Sequence, residues 1–346
     1  AAALAAAALL WQNEDPDWSA EALEKAKALW VLATTKPKSY RDSPDGVIKN
    51  MQSLYATDGH YADELAWAAA WLALATQNDT YAEAMAEWTE RQEQHNTLET
   101  WQYSPATNVL QASKFGESMT EHNAMYNAQQ FFDRYLDGSI GRTDRGAAYP
   151  YHWTAMQHVG NLAFLGQVHA KNERFVDPSY RARVFNYARF QADYTLGSAG
   201  RSWLTGFGKD YPEYLWHKAS YFSPQNWTPE DGERIWMGED RGPWTTKVRG
   251  NDKMVQRAQF AMQNSQEPQR HVAYGALFGA PLQDDGMINT RKDYTYAEPT
   301  TVANAAITGA YAGLAEYYGL GTYDDAQLLE VMHVDYDALI LQLSHA

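Results

Sequence analysis

Gly286-Met-Ile-Asn-Thr-Arg-Lys-Asp-Tyr-Thr-Tyr-Ala-Glu-Pro-Thr-Thr-Val-Ala-Asn-Ala305 is the stretch around which the rest of this sequence is organised. It begins as a polar loop and leads into an apolar run, Val302–Tyr318. Apolar residues in that run recur at helical spacing: Val302, Ala306, Ala310, Leu314 and Tyr317. The spacing predicts an amphipathic helix, with Pro299 in its first turn and Glu298 at the junction of loop and helix.

Glu298 has two interpretations on the residues alone. It stands close in sequence to Arg291, Asp293, Tyr294 and Tyr296. A carboxyl group beside aromatic rings can have a raised pKa and act as a general acid. A glutamate at a helix start is also favoured simply by the helix dipole. Without further context the second interpretation is preferred.

The rest of the chain consists of helical segments joined by loops. His60–Thr76 is the strongest of them, with acidic residues in its first turn and Leu65 and Leu72 on its apolar face. Its Trp67 and Trp71 form an i,i+4 pair that is assigned to packing. Further helices are predicted at 1–11, 20–33, 78–92, 128–136, 154–170, 178–196 and 324–343. This alternation predicts an all-α protein with negligible sheet.

Some regions are less regular. Leu98–Met125 is polar and irregular, and no element is assigned to it. Residues 222–267 mix proline, glycine and charged side chains, which indicates a long, loop-rich insertion. In the helix at 20–33 the predicted buried face is Leu23, Ala26, Leu29 and Trp30.

Composition argues against several classes of function. The net charge of −15 disfavours nucleic acid and anionic membrane surfaces as partners. No run reaches the roughly 18 apolar residues of a membrane span, so membrane insertion is not expected. The chain has no cysteine, and no metal-binding, phosphate-loop or esterase motif occurs. The 13 Trp and 23 Tyr are compatible with a sugar-lined cleft, although most aromatic rings fill cores.

The stretch Gly286–Ala305 resembles the C-terminal signature of glycoside hydrolase family 9, the endoglucanase family. The residues that fall on the signature at the family's spacing are Tyr294, Glu298, Thr300, Asn304 and Ala305. Asn289 stands where the family has Asp, and Met287 stands where it has an aromatic residue.

Other segments are similar to the family in chain order. Tyr61–Leu72, with its Asp-Glu-Leu-Ala-Trp string, is the most specific of them. Gly146–Trp153 resembles a family segment whose aromatic rings line the glucan cleft, so Tyr149 and Trp153 are sugar-stacking candidates. A purely structural role in the core is the alternative for both.

Ser202–Ser220 aligns without gaps to the family's other signature. There Trp216 occupies the first position of a His-His-Arg triplet that the family uses in its active site, and His217 keeps the second. Lys218 replaces the arginine, which forfeits the planar, bidentate guanidinium fork. The sequence of the loop is retained, while two of the polar residues that the family places there have changed.

The resemblance implies a site as well as a family. Glu298 takes the role of catalytic acid. The implied substrate-binding residues are Tyr149, Trp153, Trp216, His217, Lys218, Asn289, Arg291, Asp293 and Tyr294. No cofactor and no metal ligand are expected in the site. A structural calcium ion is compatible with the resemblance, but no residues can be assigned to it.

The implied fold is an (α/α)6 toroid, formed as a single domain over residues 1–346. The implied reaction is inverting hydrolysis, which needs a second carboxylate as base. The family's Asp-Ala-Gly-Asp segment, which supplies that base, does not occur in this sequence. We therefore expect a toroid that is incomplete at the N-terminus, with the base outside this sequence. An N-terminal segment or a neighbouring subunit is expected to complete the ring.

Three hypotheses about function follow. The first is a hydrolase of β-1,4-glucan, and the second a carbohydrate-binding protein that has lost catalysis. The third is a structural or assembly subunit built on the toroid. Glu298 and Tyr294 favour the first, whereas Trp216, Lys218 and Asn289 favour the others. The hydrolase is the main interpretation, with β-glucan or another polysaccharide as partner and a secreted or extracellular location.

Overall fold

The computed structural model describes residues 1–38, 42–46, 48, 61–92, 103–115, 119–174, 177–217, 263 and 272–320. Among these residues the regular elements are helices, and extended backbone pairs only in two isolated bridges, Arg142 with Ala148 and Leu204 with Leu277. The helices are α1 (Ala2–Trp11), α2 (Pro16–Thr35), α3 (Ala62–Thr76), α4 (Asp79–Arg91), α5 (Ser104–Lys114), α6 (Met119–Leu136), α7 (Ala155–Ala170), α8 (Pro178–Leu196), α9 (Tyr294–Ala297) and α10 (Thr301–Tyr317). The prediction of an all-α protein is confirmed.

The chain forms two compact units, and each has its own core. The first unit contains Ala1–Ile140 and Leu165–Tyr187. The second contains Gly141–Phe164 and the described part of Ala188–Ala346. The division falls inside α7 and inside α8.

Small side chains on α3 organise the core of the first unit. Ala5 of α1, Ala26 of α2 and Leu72 of α3 form one fully buried cluster. Alanines on a buried helix face allow neighbouring backbones to approach closely while they still remove apolar area from water. Trp67 and Trp71 pack at the edge of the adjoining cluster with their rings edge-to-face at 5.6 Å, as the packing assignment predicted.

The helix α5 lies in the region to which no element was assigned. It is buried on nearly every side, and the polar Ser104, Thr107, Asn108 and Gln111 are buried together with the apolar Val109 and Leu110. The side-chain amide of Gln111 donates to the Thr89 hydroxyl at 2.6 Å, which satisfies part of this buried polarity. A helix that is buried on all sides and mixes polar with apolar residues lacks the one-sided apolar period on which helix prediction depends.

Two other helices depart from prediction in the first unit. The helix α6 begins at Met119 and not at residue 128, since its polar first half has no apolar stripe to mark it. In α2 the buried residues are Ser19, Ala22 and Ala26, whereas Leu29 is exposed. The predicted placement of Leu29 on the buried face is therefore wrong.

Trp203 lies at the centre of the second unit and is fully buried. Its ring stacks on that of Tyr194 at 5.9 Å with 10° between the planes. The backbone N–H of Trp203 donates to Thr195, and its carbonyl accepts from Phe278, each at 2.9 Å. These bonds join α8 to the extended segment that precedes the Gly286–Ala305 stretch.

The buried face of α10 is rotated from the predicted apolar positions and shares Ala310 and Leu314 with them. Its buried residues are Ala303, Ile307, Ala310 and Leu314, while Val302 and Tyr317 are exposed. Because the helix is apolar on most sides, its own sequence does not determine which side faces the core. Gly160 in α7 helps to determine it, since a Cβ at that position would lie 3.3 Å from the carbonyl oxygen of Ala303, and glycine, which has no Cβ, allows this close contact.

Three sequence predictions lie outside the described residues. They are the role of Lys218, the terminal helix at 324–343 and, apart from residue 263, the insertion at 222–267.

Candidate active site

Glu298 lies in a short extended link between two capped helices. Asp293 caps α9, its Oδ1 accepting the backbone N–H of Thr295 at 2.9 Å. Thr300 caps α10, its hydroxyl oxygen accepting the N–H of Ala303 at 3.1 Å. Pro299 therefore precedes the cap of α10, and its predicted place in the first helical turn is wrong. A side-chain acceptor at each N-terminus stabilises both helices and fixes the link that carries the acid.

The backbone next to Glu298 is held by neighbouring segments. The carbonyl of Ala297 accepts the N–H of Trp216, and the carbonyl of Tyr296 accepts the N–H of Ala280, each at 2.9 Å. Gly279 crosses so closely that a Cβ there would lie 2.7 Å from the Tyr296 oxygen and 2.9 Å from the Glu298 oxygen. Only glycine permits this crossing without a shift of the backbone that carries the carboxyl group.

Burial changes the acidity of Glu298. The side chain is half-buried, and removal of water raises its pKa above the ordinary value. A raised pKa keeps the carboxyl group protonated to a higher pH, and a general acid must be protonated before it can donate.

Three aromatic side chains from separate segments meet at Tyr294, which lies four positions before the acid in the sequence. Tyr294, which is half-exposed, stands in the middle of the row. Trp153 meets it edge-on at 5.9 Å, and Trp216 meets it edge-on at 5.7 Å. We call Trp153, Tyr294 and Trp216 the aromatic row. Exposed rings of this kind offer apolar surface to the C–H faces of a sugar.

Tyr149 and Tyr296 form a second contact within the site. Their side chains hydrogen-bond to each other, and burial together with Tyr296 raises the pKa of Tyr149 to about 12. The ring of His152, an exposed side chain, lies 6.2 Å from that of Tyr296. Tyr149 thus remains a neutral hydroxyl at any physiological pH.

Asn289 and Arg291 contact the segment at 211–217. The side-chain oxygen of Asn289 accepts the backbone N–H groups of Glu213 at 3.0 Å and Tyr214 at 2.9 Å. Arg291 is buried, with its guanidinium 4.8 Å from the centre of the Tyr214 ring. Both residues stabilise the protein's own loop here, and their role as substrate ligands stays a prediction.

The structure brings together most of the predicted site residues that it describes. Trp153, Trp216 and Tyr294 share one surface, whereas Asp293 acts as a helix cap and His217 is exposed. The prediction did not include three residues of the same region: His152, Gly279 and Tyr296. For His152 and Tyr296 a signal existed, since each lies within two residues of a predicted member.

Metal and membrane sites were also sought in the described residues. They contain no group of three or more His, Asp or Glu placed to hold a metal ion. Within the same residues no helix is both long and apolar enough to cross a lipid bilayer.

An all-α frame, a half-buried carboxyl group and an aromatic row are the components that the resemblance to a helical glycoside hydrolase implies. Comparison with protein families agrees, because residues 1–311 match the family described as Glycosyl hydrolase family 9. The chain belongs to glycosyl hydrolase family 9. Its (α/α) toroid fold class, predicted from the sequence, is thereby confirmed.

Individual relatives give the same result. The chain is 29% identical to Endoglucanase 2 of Arabidopsis thaliana over 338 residues, covering 91% of this chain and 60% of the relative. It is 28% identical to Endoglucanase A of Bacillus pumilus, covering 93% of this chain and 44% of the relative. The chain thus spans 44–60% of the length of these two relatives.

Solved structures share the fold. The endoglucanase from the termite Nasutitermes takasagoensis matches with a TM-score of 0.73 and 29% identity, covering 92% of this chain and 64% of that one. Endoglucanase CelQ from Clostridium thermocellum, solved as a complex with cellotetraose, matches with a TM-score of 0.66 and 23% identity. That match covers 94% of this chain and 48% of that one, and at this identity it supports the fold alone.

Proposed function

We propose that this protein hydrolyses β-1,4-glucosidic bonds in cellulose or a related β-glucan, with Glu298 as general acid. The observation that carries the proposal is the raised pKa of the half-buried Glu298, four positions along the chain from the exposed ring of Tyr294. The substrate class is supported by the name endoglucanase that the Arabidopsis, Bacillus and termite relatives share.

The proposed mechanism is inverting. Glu298 donates its proton to the glycosidic oxygen as that bond breaks, while a base on the opposite face of the sugar activates water. The two carboxyl groups of an inverting pair stand about 6.5–9.5 Å apart, so that one water molecule fits between base and sugar. The aromatic row holds the chain of sugars by stacking, which places the bond to be cleaved next to the acid.

The base is the part of the mechanism that this sequence does not supply by motif. We propose that a carboxylate from outside the 346 residues provides it, from an N-terminal segment or from a neighbouring subunit. Trp11 and Trp18 of the first unit are both exposed, and their ring centroids lie 6.1 Å apart, so they offer such a partner a small apolar contact surface. A stable native species with a mass of only 39.1 kDa would contradict this part of the proposal.

The test compares wild type with Glu298→Gln on cello-oligosaccharides, using the native protein. Gln keeps the shape of the side chain and cannot donate a carboxylic proton, so the rate should fall by about 10²-fold or more. NMR of the first-formed product should show the anomer opposite to that of the substrate. Glu173→Gln, at an exposed position of the first unit, is the control and should leave the rate unchanged.

The outcomes separate the parts of the proposal. Equal rates for wild type and Glu298→Gln would remove Glu298 from the mechanism. Retention of configuration would replace the inverting mechanism by a double displacement. An active wild type that does not act on β-glucans would change the substrate class only.

A second candidate function is carbohydrate binding or assembly without catalysis. The observation in its favour is Trp216, whose indole has one donor and no acceptor where the family resemblance places a histidine. A wild type that binds cello-oligosaccharides without cleaving them would establish this alternative. Because polymeric glucans do not enter cells, both functions imply a secreted protein.

A further inference from the structure

Asn289 makes an unusual contact for a residue expected to bind substrate. Its side-chain oxygen accepts two consecutive backbone N–H groups, those of Glu213 and Tyr214, at 3.0 and 2.9 Å. An amide oxygen has two lone pairs, so these donors occupy both of them. The oxygen of Asn289 is therefore committed to the protein's own backbone and not to a sugar hydroxyl.

The segment that Asn289 holds carries one end of the aromatic row. Two residues beyond Tyr214, Trp216 contacts Tyr294 at 5.7 Å and donates its backbone N–H to Ala297 at 2.9 Å. Tyr214 itself rests on the guanidinium of the buried Arg291, at 4.8 Å. All of these partners come from residues 289–297, the stretch that leads directly to Glu298.

We infer that Asn289 is a positioning residue, which docks the segment 211–217 so that the ring of Trp216 stands against Tyr294. This inference rests on the proposed function for its consequence in sugar binding, and on geometry alone for the docking. Three other contacts hold this segment: the Trp216–Ala297 hydrogen bond, the Tyr214 ring against Arg291, and the fully buried Leu215. The two bonds to Asn289 add an attachment of the backbone at Glu213 and Tyr214, directly before the residues that lead to the indole of Trp216.

A consequence follows for catalysis. If Asn289 orients only the aromatic row, its loss should weaken sugar binding and leave proton donation by Glu298 nearly intact. In kinetic terms KM should rise while kcat changes little, because the lost interaction is present equally in the bound substrate and in the transition state.

The first experiment measures amide hydrogen exchange over 211–217. Glu213 is exposed, so its amide should exchange rapidly unless Asn289 protects it. We expect protection at Glu213 and Tyr214 in the wild type, and its loss by about fivefold or more in Asn289→Ala. Thr290→Ala is the matched control: the Thr290 hydroxyl accepts the backbone N–H of Lys292 within its own stretch, so the variant should leave the exchange over 211–217 unchanged.

Asn289→Asp provides the rescue. A carboxylate of the same shape accepts both N–H groups, so protection should return to at least the wild-type level. On cellotetraose, Asn289→Ala should raise KM or Kd by about fivefold or more with kcat within about twofold, and Asn289→Asp should restore most of the affinity. If Asn289→Ala does not fold, the protection of the Glu213 amide in the wild type and in Asn289→Asp still tests whether Asn289 docks the segment 211–217.

The inference and the proposed function can fail separately. Rapid exchange of Glu213 and Tyr214 in the wild type, or unchanged protection in Asn289→Ala, would overturn the inference. A fall in kcat with unchanged KM would also overturn it, because it would place Asn289 in the chemical step. Retained protection in a wild type that neither binds nor cleaves cellotetraose would overturn the proposed function while it supports the docking.

Discussion

The indole ring of Trp216 meets the ring of Tyr294 edge-on, with centroids 5.7 Å apart and planes at 60°. Tyr294 is the residue through which the two ends of the aromatic row are connected, since Trp153 contacts its ring as well. Edge-to-face contacts add about 0.5–1.5 kcal/mol to the burial of the rings. The row is therefore a preformed surface, and a ligand need not order it.

Replacement of Trp216 by histidine should raise activity or change substrate preference. An imidazole can accept or donate a hydrogen bond to a sugar hydroxyl, which the indole can do only as a donor. We expect a several-fold change in kcat/KM on cello-oligosaccharides, of the size of one added hydrogen bond. Trp216→Phe keeps an aromatic ring without a polar atom and serves as the control. A His variant with wild-type kinetics would show that Trp216 is ordinary packing.

The pH dependence of hydrolysis should reflect the ionisation of Glu298. Burial raises the pKa of this carboxyl group, so its protonated form persists above the ordinary range of about 4.3. The alkaline limb of kcat should accordingly lie above that range, since the acid works only while it holds a proton. The residual activity of Glu298→Gln should lack this limb. If the limb is the same in both proteins, another group is the acid.

Gly279→Ala should disturb the site although residue 279 has no side chain in it. The added Cβ would lie 2.7 Å from the Tyr296 carbonyl oxygen, and neither backbone can move away freely. We expect a loss of about 1–3 kcal/mol in the free energy of unfolding, together with lower kcat. Gly46→Ala is the matched control because no atom lies within 4 Å of its Cβ position. Urea unfolding of both variants gives the comparison, and equal stability would contradict the close crossing.

How much the sequence could predict differs between the fold and the site. Helices with an apolar stripe and a marked start, such as α3, α4 and α8, were located within a few residues. The helix α5 was missed because it is buried on nearly every side and mixes polar with apolar residues, and the face of α10 was predicted only in part because both Val302 and Ala303 are apolar. In both cases the deciding information lies in the neighbouring helix and not in the segment itself.

For the site, the spacing of residues in the sequence indicated which residues belong to the region but not which residues they contact. Glu298 and Tyr294 were identified from the stretch that contains them, and the structure gives Glu298 the raised pKa that an acid needs. The bonds from Asn289 to Glu213 and Tyr214 cross 76 and 75 positions of the chain, a separation at which no local pattern is informative. Sequence reasoning therefore named Asn289 as a substrate-binding candidate, which stays a prediction, and could not show that it contacts Glu213 and Tyr214.

The last prediction concerns Glu64 of α3 and the stability of the first unit. Burial, and secondarily the hydrogen bond and charge of Asp63, raise the pKa of Glu64 to about 8, and its Oε2 is buried without a hydrogen-bond partner among the residues that the structure describes. Because the folded state holds a proton that the unfolded chain releases above about pH 4.5, stability should fall as pH rises from about 4.5 to about 8. Gln carries no charge at any of these pH values, so Glu64→Gln should remove that fall.

At pH 8 the Glu64→Gln variant should be more stable than wild type, on the order of 1 kcal/mol once partial solvent exposure of the side chain is allowed for. Near pH 4.5 the two proteins should differ little, since Glu64 is then protonated in the folded state. Thermal unfolding across this pH range measures the difference. Glu83→Gln, on the exposed side of α4, is the control for loss of a negative charge and should follow wild type. If the stability of wild type and of Glu64→Gln changes with pH in parallel, the prediction is wrong. Ionisation of Glu64 would then not lower the stability of the folded state, and its carboxyl group would have a hydrogen-bond partner in solution.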